Sequence, residues 1–279
     1  MTYTKISLIP WVSGLLLALF SSLGVAQTVH ISHCLAGCPI SGLPDNEVVV
    51  RHLFAGSVEK DSGLAEWVAY RVISGSVGIA SLLPRYWAED RLINSEVVEI
   101  QLNSDSPSTS EPEKAYSEEN SYRTSEITIS LEDRGRLVPM TSFAGTPYWG
   151  ELNLLTNMAP IPTDLRIGSW SRLDQSVNEL AGKIEEVFVV SGPLYETGDL
   201  TPLDALSKVR ASSFFKVVAT KTSIAAFIFP ENLPSHSNYC DFRSTLGLIE
   251  SQSGLKLFPR RQQEFNSDLF GELRCVRAK

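Results

Sequence analysis

The run Glu132-Asp133-Arg134-Gly135-Arg136-Leu137-Val138-Pro139 decides how this chain is read. It sets carboxylates and two guanidinium groups around a glycine and then turns apolar. A guanidinium is planar and can hold a phosphate through two parallel hydrogen bonds. It stays protonated across the biological pH range, so it cannot accept a proton from water. Arg136 therefore reads as a phosphate clamp or as a surface arginine, and not as a general base.

The surrounding chain is long enough, at 279 residues, for one large domain or two small ones. Its start reads as an export signal over residues 1–26. Lys5 precedes an apolar stretch from Ile6 to Leu23, and Gly24-Val25-Ala26 is a small-x-small cleavage site before Gln27. A retained anchor is the rival, since about eighteen apolar residues could span a bilayer. Trp11, Ser13 and Gly14 interrupt the stretch and favour removal. No other segment is long and apolar enough to cross a membrane, so none is expected to after the signal is gone.

Export fits the four cysteines, an even number in an oxidising compartment. Cys34 and Cys38 are close together, and Cys240 and Cys275 remain, so the predicted pairs are Cys34–Cys38 and Cys240–Cys275. The alternative is a zinc site of Cys34, Cys38 and His30 or His33, which lacks the second cysteine pair that such sites usually show. The formal net charge of −8 becomes −9 when Lys5 leaves (−8 − 1). Clustered Lys and Arg normally carry nucleic-acid affinity. The acidity argues against tight nucleic-acid binding and leaves local basic patches open.

Val48 to Ala55 and Trp67 to Ile73 read as strands, dense in β-branched and aromatic residues. Residues 103–124 are Ser-, Glu- and Pro-rich without a hydrophobic pattern and read as a mobile surface insert. A helix is predicted from Thr163 or Asp164, with Ile167, Trp170, Leu173, Val177, Leu180 and Ile184 on one face. Phe188 to Tyr195 reads as strand then turn, and Phe214–Val218 and Ala225–Pro230 as strands. Ser244 to Ser253 reads as a second helix closed by Gly254. Strands and helices do not alternate, which points to α+β with a largely antiparallel sheet.

The opening run resembles the Asp-Arg-Gly-His signature of the DNA/RNA non-specific endonucleases, which have a ββα-metal active site. Further fragments resemble the secreted bacterial, sugar-non-specific members in the same order. They are Cys34-Leu35-Ala36-Gly37-Cys38-Pro39, Trp67-Val68-Ala69-Tyr70, Val190 to Glu196, Ser213 to Val217, Ala225 to Phe229 and Tyr239-Cys240-Asp241-Phe242-Arg243. The resemblance runs from about Cys34 to Cys275, with the insert as the main misfit. It implies a single nuclease-like domain over 27–279, a six-stranded antiparallel core sheet flanked by helices, and both disulfides. It also implies a DNA or RNA partner, a secreted or periplasmic location, and frequent homodimers among family members.

By the same resemblance, a histidine would activate water and one Mg²⁺ would stabilise the phosphorane. An asparagine would hold the metal, a glutamate would orient its waters, and arginines would brace the phosphate. Here the base position is Arg136, the metal-ligand position Arg166, the carboxylate position Asp174 and one clamp position Asn178. Mg²⁺ wants oxygen donors, which Arg166 does not have. Asn157 matches a family asparagine read as structural. Arg85, Arg134 and Asp133 match surviving positions; Arg85, Arg134, Arg136 and Arg166 form the expected phosphate-binding set. Losing Mg²⁺ removes two positive charges and the two new arginines add two. The side chains of Arg136 and Arg166 are thus expected in the vacated space, or else paired with Asp133 and Asp174. The functional expectation is lost or impaired catalysis with phosphate or nucleic-acid binding retained. The alternative is an active Mg²⁺-dependent endonuclease whose base and metal ligand the motif does not reveal; His30, His33, His52 and His236 are the candidate bases.

Overall fold

The computed structural model describes residues 30–41, 46–58, 65–88, 90–93, 122–124, 127–129, 134–195 and 211–275. The expected export signal, most of the insert at 103–124, and Asp133 lie outside the described residues. The strands in chain order are β1 (Ile40–Ser41), β2 (Glu47–Val50), β3 (Phe54–Val58), β4 (Ala65–Val72), β5 (Tyr122–Thr124), β6 (Ile127–Ile129) and β7 (Gly135–Arg136). They continue with β8 (Met158–Ala159), β9 (Val187–Leu194), β10 (Ser213–Ala219), β11 (Ser223–Pro230), β12 (Arg243–Ser244), β13 (Leu255–Lys256) and β14 (Ser267–Asp268). The helices are α1 (Thr163–Leu165), α2 (Ser171–Ala181) and α3 (Leu246–Ser253).

The main sheet has the order β12-β11-β10-β9-β4-β3-β2, with β14 added beside β11. Its six principal strands, β2, β3, β4, β9, β10 and β11, pair antiparallel throughout. The expected six-stranded core is thus present, widened to eight by two-residue strands.

Alternation along the strands sends side chains to two faces. Val68, Tyr70, Val72, Val189, Phe214, Val218, Phe227 and Phe229 share one core with Leu165, Trp170, Leu173, Val177 and Leu180 of the long helical segment. Trp67, Ala69, Val190, Phe215, Val217 and Ala226 share the other with Ile249 of α3, Leu257 and Phe258. The sheet is therefore the middle of three layers, and burying both faces explains why its strands are predominantly apolar.

Three local expectations change. Val48–Ala55 is a hairpin and not one strand: Arg51 N donates to Phe54 O at 2.8 Å and closes the turn between β2 and β3. Arg51 is held there by the buried carboxylate of Asp90. Gly192-Pro193 does not turn but lies inside β9. Pro193 falls past the end of the β4–β9 ladder, which stops at Ser191, so its missing N–H costs that ladder nothing. The third change is in the long helix. Residues Arg166–Trp170 form a π-type turn with a kink at Gly168 (φ −92, ψ −117). The kink swings Ile167 outward to 57 % exposure, and Ile184 lies beyond the end of α2. The helix does begin at Thr163, although Pro162 takes the cap position. Helix α3 starts after Thr245, whose hydroxyl accepts from Leu248 N, and ends at Gly254 in the left-handed region.

Both predicted disulfides are formed, Cys34–Cys38 and Cys240–Cys275. The zinc alternative is thereby excluded, because no cysteine remains as a thiol. Among the described residues no helix is long and apolar enough to cross a membrane.

Candidate functional site

Gly135 and Arg136 of the opening motif form a strand. β7 pairs antiparallel with β8, Gly135 opposite Ala159 and Arg136 opposite Met158, and the chain then enters α1, the π-type turn and α2. Two strands and a helix thus form one unit on the Phe214 face of the sheet. Asn157 fixes the connection. Its Oδ1 accepts from Val138 N at 2.7 Å, and its Nδ2 donates to Val138 O at 3.1 Å and Leu152 O at 3.0 Å. This buried amide has its capacity taken up by backbone, as its structural reading requires. Trp170 Nε1 also donates to Arg136 O at 3.3 Å, tying the helix to the motif.

Gly135 is required by close approach. A Cβ there would lie 2.7 Å from Ile161 Cβ and 2.9 Å from its Cγ1 and Cδ1. Gly135→Ala should cost about 1–3 kcal/mol by overpacking. That is a drop of several degrees in thermal midpoint, at about 2–4 °C per kcal/mol for a domain of this size. An unchanged midpoint in a calorimetric scan would show that the unit has slack.

Arg136 is clamped from several sides. Nε donates to Leu152 O at 3.2 Å, and Nη2 donates to Asn153 Oδ1 and to Tyr86 O at 3.4 Å. Its guanidinium lies 4.4 Å from the centroid of the Trp87 ring, a cation–π contact. Burial, then the fields of Arg85 and Arg166, push its pKa down to about 10. It remains a cation at neutral pH, and Arg85 and Arg166 act on it through their fields alone. Arg166 is half-buried and donates to Thr163 Oγ1 at 3.3 Å. Arg134 is half-buried just ahead of β7, and Arg85 is exposed.

Asp174 does not pair with an arginine. Its buried carboxylate contacts the Nζ of Lys216, which is itself wholly buried in β10. The ammonium also sits 3.8 Å from the Trp170 ring centroid. Burial pushes Asp174 up and Lys216 down, and each partner opposes the shift of the other. Asn178 is likewise engaged: Ser142 Oγ donates to its Oδ1 at 2.6 Å and its Nδ2 donates to Thr141 Oγ1 at 3.2 Å.

This donor set does not fit Mg²⁺. Arg166 has no lone pair to give, Asp174 is committed to Lys216, and the oxygens of Asn153 and Asn157 accept from Arg136 and Val138 N. Among the described residues no group of three or more His, Cys, Asp or Glu could hold a metal. Lys216, Asn153, Tyr86 and Trp87 were not among the expected site residues. A lysine inside the apolar run Phe214–Val218 was the available signal for the first.

A strand pair and helix docked on a largely antiparallel sheet define the ββα-metal nuclease fold. The family model described as DNA/RNA non-specific endonuclease matches residues 37–264, and the chain belongs to that family. A nuclease of Serratia marcescens is 31 % identical over 247 residues, covering 85 % of this chain and 84 % of that protein. A nuclease of Nostoc sp. is 23 % identical, covering 80 % and 78 %. Among solved structures, a chain of the EndoG/EndoGI complex aligns with a TM-score of 0.59 at 18 % identity, covering 82 % of this chain and 92 % of that one; it bears on the fold alone.

Proposed function

We propose that this protein is an exported member of the family that retains phosphate binding for DNA or RNA and has lost or nearly lost hydrolysis. The mature chain would be 27–279, and its two disulfides suit an oxidising compartment outside the cytoplasm. The observation that carries the reading is Arg136. The position where the family pattern has its base holds a guanidinium locked by Asn153, Leu152 O and Trp87, beside Arg85 and Arg166. Such a group can clamp a phosphate and cannot deprotonate water.

In a plasmid assay with Mg²⁺, Mn²⁺ and EDTA lanes, no EDTA-sensitive cleavage is expected. Binding to DNA should weaken with salt. Four arginines on phosphates would give a slope of about −3 to −4 in log K against log [salt] for duplex. Robust Mg²⁺-dependent cleavage by the unaltered protein would overturn the reading.

One observation favours the active alternative. His52 Nδ1 lies 2.7 Å from Glu151 Oε1, an imidazole oriented by a carboxylate as a general base would be. If the plasmid is cut and His52→Ala abolishes the cutting, that alternative stands.

A further inference from the structure

Exposed aromatic rings lie on the segments that hold Arg136. The rings of His52 and Tyr148 are stacked, with centroids 4.1 Å apart and planes within 1°. Both are open to solvent, His52 at 61 % of its side chain and Tyr148 at 46 %. Glu151 holds the His52 end at both oxygens: Oε1 meets Nδ1, and Oε2 accepts from His52 N at 2.9 Å. Tyr86, 49 % exposed, brings its hydroxyl against Gly150, where an added Cβ would lie 3.6 Å away. The carbonyl of Tyr86 accepts from Arg136, and the neighbouring Trp87 ring lies beneath the same guanidinium. Segments 86–87 and 148–153 are therefore laid together along Arg136, and each carries an exposed aromatic ring.

Exposed rings held in fixed orientation beside cations match the chemistry of an unpaired nucleotide. Its phosphate seeks a guanidinium and its base seeks a flat π-face. Duplex bases are already stacked on one another and have no face to offer. We infer that the row formed by Tyr86, Tyr148 and His52 is a base-stacking platform that selects single-stranded DNA or RNA over duplex. This rests on the phosphate-binding reading of the arginine cluster. Stacking supplies the selectivity and the arginines supply affinity common to any phosphodiester backbone.

The test is fluorescence anisotropy with EDTA present and three probes of about twenty units each: a thymidine strand, the same strand in duplex, and a fully abasic strand. The unaltered protein should bind the thymidine strand at least about tenfold tighter than the other two, since each stacked base is worth about 1–3 kcal/mol. Tyr86→Ala with Tyr148→Ala should remove that advantage and leave the abasic strand's affinity unchanged, which also reports an intact fold. Tyr86→Phe with Tyr148→Phe should keep it. Equal affinity of the unaltered protein for all three probes removes the platform and leaves the phosphate reading standing. An advantage that survives the double alanine variant also removes it. Binding to none of the probes removes the phosphate reading, and the platform with it.

Discussion

Lys216→Met should be the most destabilising single change in the site, by about 3–5 kcal/mol, because it leaves a buried carboxylate without its partner. Lys216 lies in the middle of β10 with Phe214 and Val218 on the same face, and Asp174 reaches it from α2. Methionine keeps the length and the contact with Trp170 but cannot neutralise Asp174. The loss depends on pH. Burial already raises Asp174, and removing the ammonium raises it further. A carboxyl whose folded pKa exceeds its unfolded one is stabilising, relative to its ionised form, below the unfolded value of about 3.9, and that contribution is lost as pH rises through the folded value. The variant should therefore be least impaired near pH 4 and most impaired above the raised pKa. Urea unfolding across that range measures both features. Lys216→Met with Asp174→Leu should regain much of the loss, since an apolar pair of similar volume often replaces a buried ion pair without penalty. A loss below about 1 kcal/mol for the single variant, flat with pH, would mean that the pair carries little.

The same pair marks where the sequence stops being readable. Strands β4, β10 and β11 are legible because β-branched and aromatic residues buried on both faces leave a dense local signature. Cys34 and Cys38 are legible because they lie four positions apart. What cannot be read locally is approach. Tyr86 and Asn153 reach Arg136 from fifty and seventeen residues away, and Lys216 reaches Asp174 across forty-two. The positions of the substituted residues follow from the order of motifs. Their partners follow only from the packing of the helix layer on the sheet. Arg136 and Arg166 were expected either in the space of the metal and base or paired with Asp133 and Asp174, and Asp174 pairs with a lysine of the sheet instead. The hairpin at Arg51 and the kink at Gly168 failed for a related reason. Each is decided by a distant contact, Asp90 in one case and the passage of the helix over Ser235 in the other.

Arg136→His with Arg166→Asn should switch on metal-dependent cleavage if the substitutions are the lesion. A general base is worth about 10²–10⁴ in rate, so EDTA-sensitive cleavage at least about a hundredfold above the unaltered protein is expected. The pair removes two positive charges, which one Mg²⁺ would restore. Histidine at 136 releases Asn153 Oδ1 and the Trp87 face from the guanidinium. Asparagine at 166 places an oxygen donor at the start of the helix. Each single change should do little alone, because base and metal act as a unit and their effects are not additive. The recovered rate should stay below that of an unmodified family site, since Asp174 remains committed to Lys216 and Asn178 to Ser142 and Thr141. Adding Asn178→Arg should raise it further. Equal EDTA-sensitive cleavage by the unaltered protein and the double variant would show that Arg136 and Arg166 were never the obstacle. A double variant that binds DNA but does not cut, with or without Asn178→Arg, would move the lesion to the Lys216–Asp174 pair, because that pair withholds the carboxylate of Asp174.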